Sequence, residues 1–176
     1  MVGLCLIEPE VHYDSRGYFF ESFNHQAFND MIESRTFIQD NESKSSKGVL
    51  RGLHFQKPPY EQAKLVRCTL GKVLDVVVDL RLGSKTYGNH QSFTLSEENK
   101  LQLFIPPGFA HGFIVLSEEA VFSYKVDNQY APESDSGIIW NDPDLSIDWG
   151  LPENEITISE KDSNLKMLAE LKSPFN

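Results

Sequence analysis

Through the middle of the chain, apolar and polar positions alternate with a period of two, in short runs broken by turn residues. Leu74, Val76, Val78 and Leu80 alternate with Val73, Asp75, Val77 and Asp79, which predicts a half-buried strand, and Gly71-Lys72 ahead of it predicts a turn. Further strands are predicted at 50–55, 65–70, 91–95, 101–105, 113–116 and 120–126. Ser117-Glu118-Glu119 would join the last two as a hairpin. Pro106-Pro107-Gly108 interrupts the sheet, because proline donates no ladder hydrogen bond. Short strands at this spacing predict a sandwich or barrel.

Two helices flank this region in the pattern. Asn24 suits an N-cap, Phe23 and Phe28 can close a hydrophobic staple across it, and Phe28, Met31 and Ile32 form an apolar stripe. These features predict a helix of roughly two or three turns. Near the C-terminus Leu165, Leu168 and Ala169 recur at helical spacing after Asp162 or Ser163, which predicts a short closing helix. The fold class is therefore mainly β with a few short peripheral helices.

Composition narrows the picture. At 176 residues, with 40% hydrophobic and 24% charged, the chain fits one domain over residues 1–176 with a sizeable core. It has no internal repeat and no linker-like tract. The apolar run 2–7 ends at Glu8-Pro9-Glu10, too short for a signal core or a membrane span, so a cytoplasmic location with no membrane partner is expected. Cys5 and Cys68 lack metal-type spacing and read as small core hydrophobes.

A net charge of -10 argues against nucleic acid, which requires a surplus of Lys and Arg. Locally the balance reverses. Lys44, Lys47, Arg51, Lys57, Lys64, Arg67 and Lys72 stand against Glu61 alone, so this segment could hold a small anionic ligand or simply be a solvated basic loop.

Candidate chemistry gathers in three segments, each beside a predicted strand: Gly48-Val-Leu-Arg51-Gly-Leu-His54-Phe-Gln56, Gln62-Ala-Lys64-Leu-Val-Arg67, and Ile105-Pro-Pro-Gly-Phe-Ala-His111-Gly-Phe113. A single His among apolar strand residues is usually a satisfied core group, but two with Arg and Lys nearby point to a site. Alternation would put Leu50, Gly52 and His54 on one face, leaving room beside the imidazole. Phe122, Tyr124 and Val126 share a face, which would turn Tyr124 inward. The spacing is also that of a metal-binding cupin, yet Phe55-Gln56 stands where a second His would be needed, so no metal is expected.

Taken together, Asp14-Ser-Arg16-Gly-Tyr-Phe19-Phe-Glu21, Phe37-Ile-Gln39-Asp-Asn41-Glu-Ser43, the three segments above, the stretch 75–81 and Trp140-Asn-Asp142 resemble the dTDP-4-dehydrorhamnose 3,5-epimerase family over about residues 6–162. The resemblance implies a metal-free cupin-type jelly-roll barrel, a homodimer exchanging N-terminal strands, and a dTDP-sugar substrate. It implies His54 as base with Asp162 as its partner, Lys64 and His111 in the sugar site, and Tyr124 as the hairpin tyrosine. Arg16, Phe19 and Glu21 would serve the site across the dimer, and Gln39, Asn41 and Arg51 would contact the sugar nucleotide. Two departures stand out: the N-terminus is shorter than in many members, and Gln129 stands where some carry a second tyrosine beside Tyr130.

Inverting a carbon beside a ketone needs a base, a group to stabilise the enolate, and a proton donor on the opposite face. His54 with Asp162, Lys64 and Tyr124 suit those roles in turn. Only protons move, so no cofactor is expected, and the chain has no glycine-rich dinucleotide loop. Three alternatives remain at this stage: a relative that inverts only carbon 3 or carbon 5, a non-catalytic sugar-nucleotide binding module, and a metal-dependent cupin oxygenase or isomerase.

Overall fold

The structure is a computed structural model and describes residues 1–175. One five-stranded sheet runs in the order β1 (Cys5–Ile7), β9 (Gln102–Ile105), β6 (Lys64–Leu70), β11 (Glu119–Val126), β4 (Gln39–Ser46). A second runs β12 (Asp135–Gly137), β5 (Leu50–Gln56), β10 (Phe109–Val115), β7 (Lys72–Asp79), β8 (His90–Ser96). Every strand pair within them is antiparallel. From β4 onward the chain mostly alternates between the two sheets, the mark of a jelly roll. Strands β2 (His12–Asp14) and β3 (Gly17–Phe19) form a separate two-stranded ribbon.

Three apolar layers hold the sheets in place. Between them lie Val66, Cys68, Leu103, Ile105 and Phe122 from the first sheet and Val73, Val77, Leu95, Phe109 and Phe113 from the second. Outside the first sheet, helix α1 (His25–Met31) seats Phe28 against Leu65 and Phe104. Its start follows the expected chemistry: the Asn24 side chain accepts from the Ala27 N–H, and Phe23 meets Phe28 at 6.0 Å between ring centroids. Outside the second sheet, the C-terminal segment lays Leu145, Trp149 and Phe175 over Leu50, Leu53, Phe55, Val76 and Val78.

That third layer corrects the expectation for β7. The strand is buried on both faces, with Val73 and Val77 in the interior and Val76, Val78 and Leu80 beneath the C-terminal segment. The closing helix also differs. Helix α2 (Glu160–Ser163) is one turn ending before Leu165, and Leu168 begins a 3-10 turn (Leu168–Glu170). Between them Lys166 makes a parallel bridge to Ile138, with the Ile139 N–H donating to its carbonyl at 2.9 Å. Leu165 and Leu168 thus reach the sheet from a chain that pairs with another segment instead of coiling on itself. Two strands differ as well. The wholly polar Gln39–Ser46 is β4, and β10 starts at Phe109, so His111 lies within a strand.

Candidate active site

A cavity of about 500 Å³ opens between the sheets. Lys64 and Tyr124 enter from β6 and β11 of one sheet, and Arg51, His54 and His111 from β5 and β10 of the other. Asp162 comes from α2, and Ser43, Phe113, Phe122, Ser159 and Lys161 complete much of the wall.

The position of His54 depends on a break in strand alternation. His111 lies directly across from His54, but the β10–β5 register shifts between His111 and Phe113, and Phe113 faces Arg51. Two residues of β5, Gly52 and Leu53, therefore oppose Gly112 alone, which is a bulge. As a result Arg51 and His54 both line the cavity while Leu50 and Leu53 enter the outer core. The strict alternation expected for Leu50, Gly52 and His54 does not hold. Gly52 has φ +129, and a Cβ there would stand 2.5 Å from the Gly112 Cα and 2.9 Å from the His111 carbonyl oxygen.

Two imidazole–carboxylate pairs result. His54 Nε2 lies 2.7 Å from Asp162 Oδ1, and His111 Nε2 lies 2.8 Å from Asp75 Oδ2. Asp162 is fixed on three sides: the Gly52 N–H donates to its other oxygen, and its own N–H donates to the Ser159 hydroxyl that caps α2. The pairs differ in access to water. The His54 side chain is 31% exposed and that of His111 8%. Burial pushes His111 down from its ordinary value against the pull of Asp75, so its ring stays neutral. Burial pushes Asp162 up, but hydrogen bonds from His54, Gly52 and Ser159, with the His54 charge, hold it below the usual carboxylate range.

The other polar groups follow the same physics. Enclosure drives the Lys64 ammonium down to about 8, with Asp75 and then Asp135 pulling it back up. Burial pushes the Tyr124 phenol up, only partly opposed by Arg51, so it keeps its proton at neutral pH. Arg51, which also lines the cavity, donates from Nε to the Ser45 hydroxyl at 3.1 Å.

Sequence candidates thus separate into groups. His54, Lys64, Arg51, His111, Tyr124 and Asp162 converge on one cavity. Gln39 and Asn41 lie on β4, hydrogen-bonded to each other at 2.8 Å, on the strand that also brings Ser43 to the wall. Arg16, Phe19 and Glu21 do not reach this cavity. Arg16 is paired with Asp14 on the exposed ribbon, Phe19 is 71% exposed, and Glu21 accepts from Asn24 beside α1. The basic segment does not form one patch either, because Lys44 pairs with Glu119 and only Arg51 and Lys64 face the cavity.

Asp75 and Lys161 escaped the sequence reading. A carboxylate inside the valine-rich run of β7 was a visible signal for Asp75, whereas nothing local marks Lys161. Lys161 pairs with Asp135, which also accepts from the Tyr130 hydroxyl at 3.1 Å. Among the described residues no set of three His, Cys, Asp or Glu converges as metal ligands. No helix among them is long and apolar enough to cross a membrane.

Comparison with known proteins places this geometry in a family. The family model described as dTDP-4-dehydrorhamnose 3,5-epimerase matches residues 1–170. The chain belongs to the dTDP-4-dehydrorhamnose 3,5-epimerase family. It is 53% identical over 169 residues to the dTDP-4-dehydrorhamnose 3,5-epimerase of Methanothermobacter thermautotrophicus, covering 96% of this chain and 91% of that one. The crystal structure of the enzyme from Elizabethkingia anophelis superposes with a TM-score of 0.92 at 53% identity, covering 97% and 93% of the two chains. That of a dTDP-6-deoxy-D-glucose-3,5-epimerase from Legionella pneumophila, in complex with dTDP-4-keto-L-rhamnose, gives 0.93 at 47% identity, covering 97% and 90%. The family's cupin-type jelly roll is thus the fold of this chain.

Proposed function

We propose that this chain is an epimerase that inverts carbons 3 and 5 of a dTDP-linked 4-keto-6-deoxyhexose, an isomerase of deoxysugar biosynthesis. The observation that carries the reading is the His54–Asp162 pair on one sheet side of the cavity, with the Tyr124 phenol and the Lys64 ammonium on the other. The relatives named for this reaction, one of them bound to a dTDP-keto sugar, support the substrate class.

A hydrogen on a carbon beside a ketone is acidic only if the developing oxyanion is stabilised. His54 takes that proton. It is the more solvated of the two imidazoles, and the ionised Asp162 fixes its tautomer and stabilises the imidazolium. His111, buried and kept neutral, suits hydrogen bonding to the sugar instead. Lys64 meets the charge that grows on the ketone oxygen. Tyr124, protonated and on the opposite wall, returns a proton to the other face of the planar enolate, and the configuration inverts. Arg51, a cation on the cavity wall, anchors the diphosphate by charge-assisted hydrogen bonds. The cycle moves protons alone, and these residues carry it without a cofactor.

The reading includes a homodimer in the cytoplasm. Arg16 and Phe19 on the exposed aromatic ribbon, and Glu21 beside α1, lie away from their own cavity, which suits service to a second subunit. Cys5 and Cys68 are free thiols, as a reducing compartment favours.

The test is incubation with dTDP-4-keto-6-deoxyglucose in heavy water, followed by NMR. Deuterium should enter at carbons 3 and 5, and His54→Asn should slow that exchange by about 10²- to 10⁴-fold while dTDP still binds. Exchange at neither carbon in the wild-type protein refutes the reading.

A further inference from the structure

The proton-transfer reading leaves one buried charge unused. Asp75 lies on the interior face of β7, across from Phe113 on β10 and Phe93 on β8, and is 0% exposed. Its Oδ2 is 2.8 Å from His111 Nε2, while its Oδ1 is buried with no hydrogen-bond partner among the described residues. A carboxylate enclosed in this way is costly unless a cation balances it. His111 cannot supply that charge, since burial keeps its ring neutral. A neutral ring has one N–H, and donating it to Asp75 leaves the other nitrogen as an acceptor.

The cavity that His111 lines holds several other titratable groups among the described residues. From β5 come Arg51 and His54, the latter already committed to Asp162 of α2. From β10 comes His111 and from β11 the uncharged Tyr124 phenol. Asp135 of β12 is paired with Lys161, and Arg51 is turned to Ser45. Among the described residues Arg51 and the Lys64 ammonium, on β6 in the opposite sheet, are the cavity cations without a carboxylate partner, and Asp75 is the larger of the two attractions acting on Lys64.

We propose that Asp75 is a positioning residue of the site, one oxygen holding His111 as an acceptor towards the cavity and the other acting as the counter-charge that keeps Lys64 cationic when the cavity is empty of substrate. The pairing is electrostatic and leaves the ammonium free to turn towards an incoming oxygen, because a direct ion pair would have to be broken first. It also explains why an ionisable side chain is kept inside a valine strand, where an apolar residue would pack at least as well. The role rests on the epimerase reading for its purpose, but the charge coupling itself does not.

The experiment follows the Lys64 ammonium by NMR in protein labelled with nitrogen-15 at lysine Nζ, the signal being assigned by its loss in Lys64→Arg. In the wild-type protein it should titrate at about 8. In Asp75→Asn, folded and still binding dTDP, it should titrate about one pH unit or more lower, a tenfold or greater loss of the charged form. The alkaline limb of kcat/KM for dTDP-4-keto-6-deoxyglucose should move down with it. An unchanged titration in folded Asp75→Asn overturns the proposal, as does a kcat/KM limb that stays put while the signal moves. Should that variant not fold, the wild-type signal decides: uncompensated buried lysines titrate at about 5 to 6, and a value there overturns the counter-charge. The NMR titration is read without substrate, so failure of the epimerase reading would leave it intact.

Discussion

At the scale of single residues, the cavity shows how environment assigns roles to like groups. Two imidazoles sit side by side on neighbouring strands, each with a carboxylate. Solvation separates them: the His54 side chain is 31% exposed and that of His111 8%, and several donors hold Asp162, the partner of His54, below the usual carboxylate range. The same logic separates donor from base. Tyr124→Phe removes the proposed acid but leaves the proposed base, so it should reduce inversion at least tenfold more than deuterium exchange, measured in one NMR time course. Equal loss of both would remove Tyr124 from the donor role. For Lys64 the sign is fixed by its lowered value. The charged form is lost as pH rises through about 8, so kcat/KM should fall above that pH. Its effect on stability runs the other way. The unfolded chain holds the proton up to the ordinary 10.5, so this residue favours the folded state increasingly between about 8 and that value.

Among the elements, β5 does the most to form the site. Its bulge turns both Arg51 and His54 into the cavity and leaves Leu50 and Leu53 in the outer core. Gly52 makes this possible, because the β10 backbone passes where a side chain would start. Gly52→Ala should cost about 2 to 3 kcal/mol by denaturant unfolding, from the left-handed φ together with the close contact. It should also disturb the His54–Asp162 contact, since the Gly52 N–H donates to Asp162. A stable, fully active variant would show that the bulge is dispensable. Element by element, legibility in the sequence varied for physical reasons. Helix α1 was readable because its cap and staple are local. Strand β4 was not, because one polar face borders the cavity and the other meets water, so no apolar alternation remains. The C-terminal helix misled because Leu165 and Leu168 are spaced for a helix but are drawn apart by pairing with residues near Ile138.

For the whole molecule, the barrel and its C-terminal wrapping form one device. The segment that covers the second sheet with Trp149 and Phe175 also carries α2, and so delivers Asp162 to His54 from 108 residues away in sequence. The exposed ribbon with Tyr13, Tyr18 and Phe19 does not reach the cavity of this chain. If Arg16 serves the partner's cavity, His54→Asn and Arg16→Ala subunits, each weakly active alone, should recover activity when co-assembled. The mixed dimer then holds one site with both residues intact. A mixture no better than the two parents would mean that Arg16 acts within its own chain or not at all.

What the sequence determined by itself was local or repetitive: strands from alternation, the α1 cap, the cavity-facing chemistry around Arg51, Lys64, His111 and Tyr124, and the family through motifs spread along most of the chain. Tertiary structure alone decided which face of β5 sees the cavity, which histidine is solvated, and that Asp75 is sealed against His111. Those outcomes depend on register, burial and electrostatics between strands distant in sequence, and a one-residue bulge or a covering segment reverses them without leaving a mark in the local pattern.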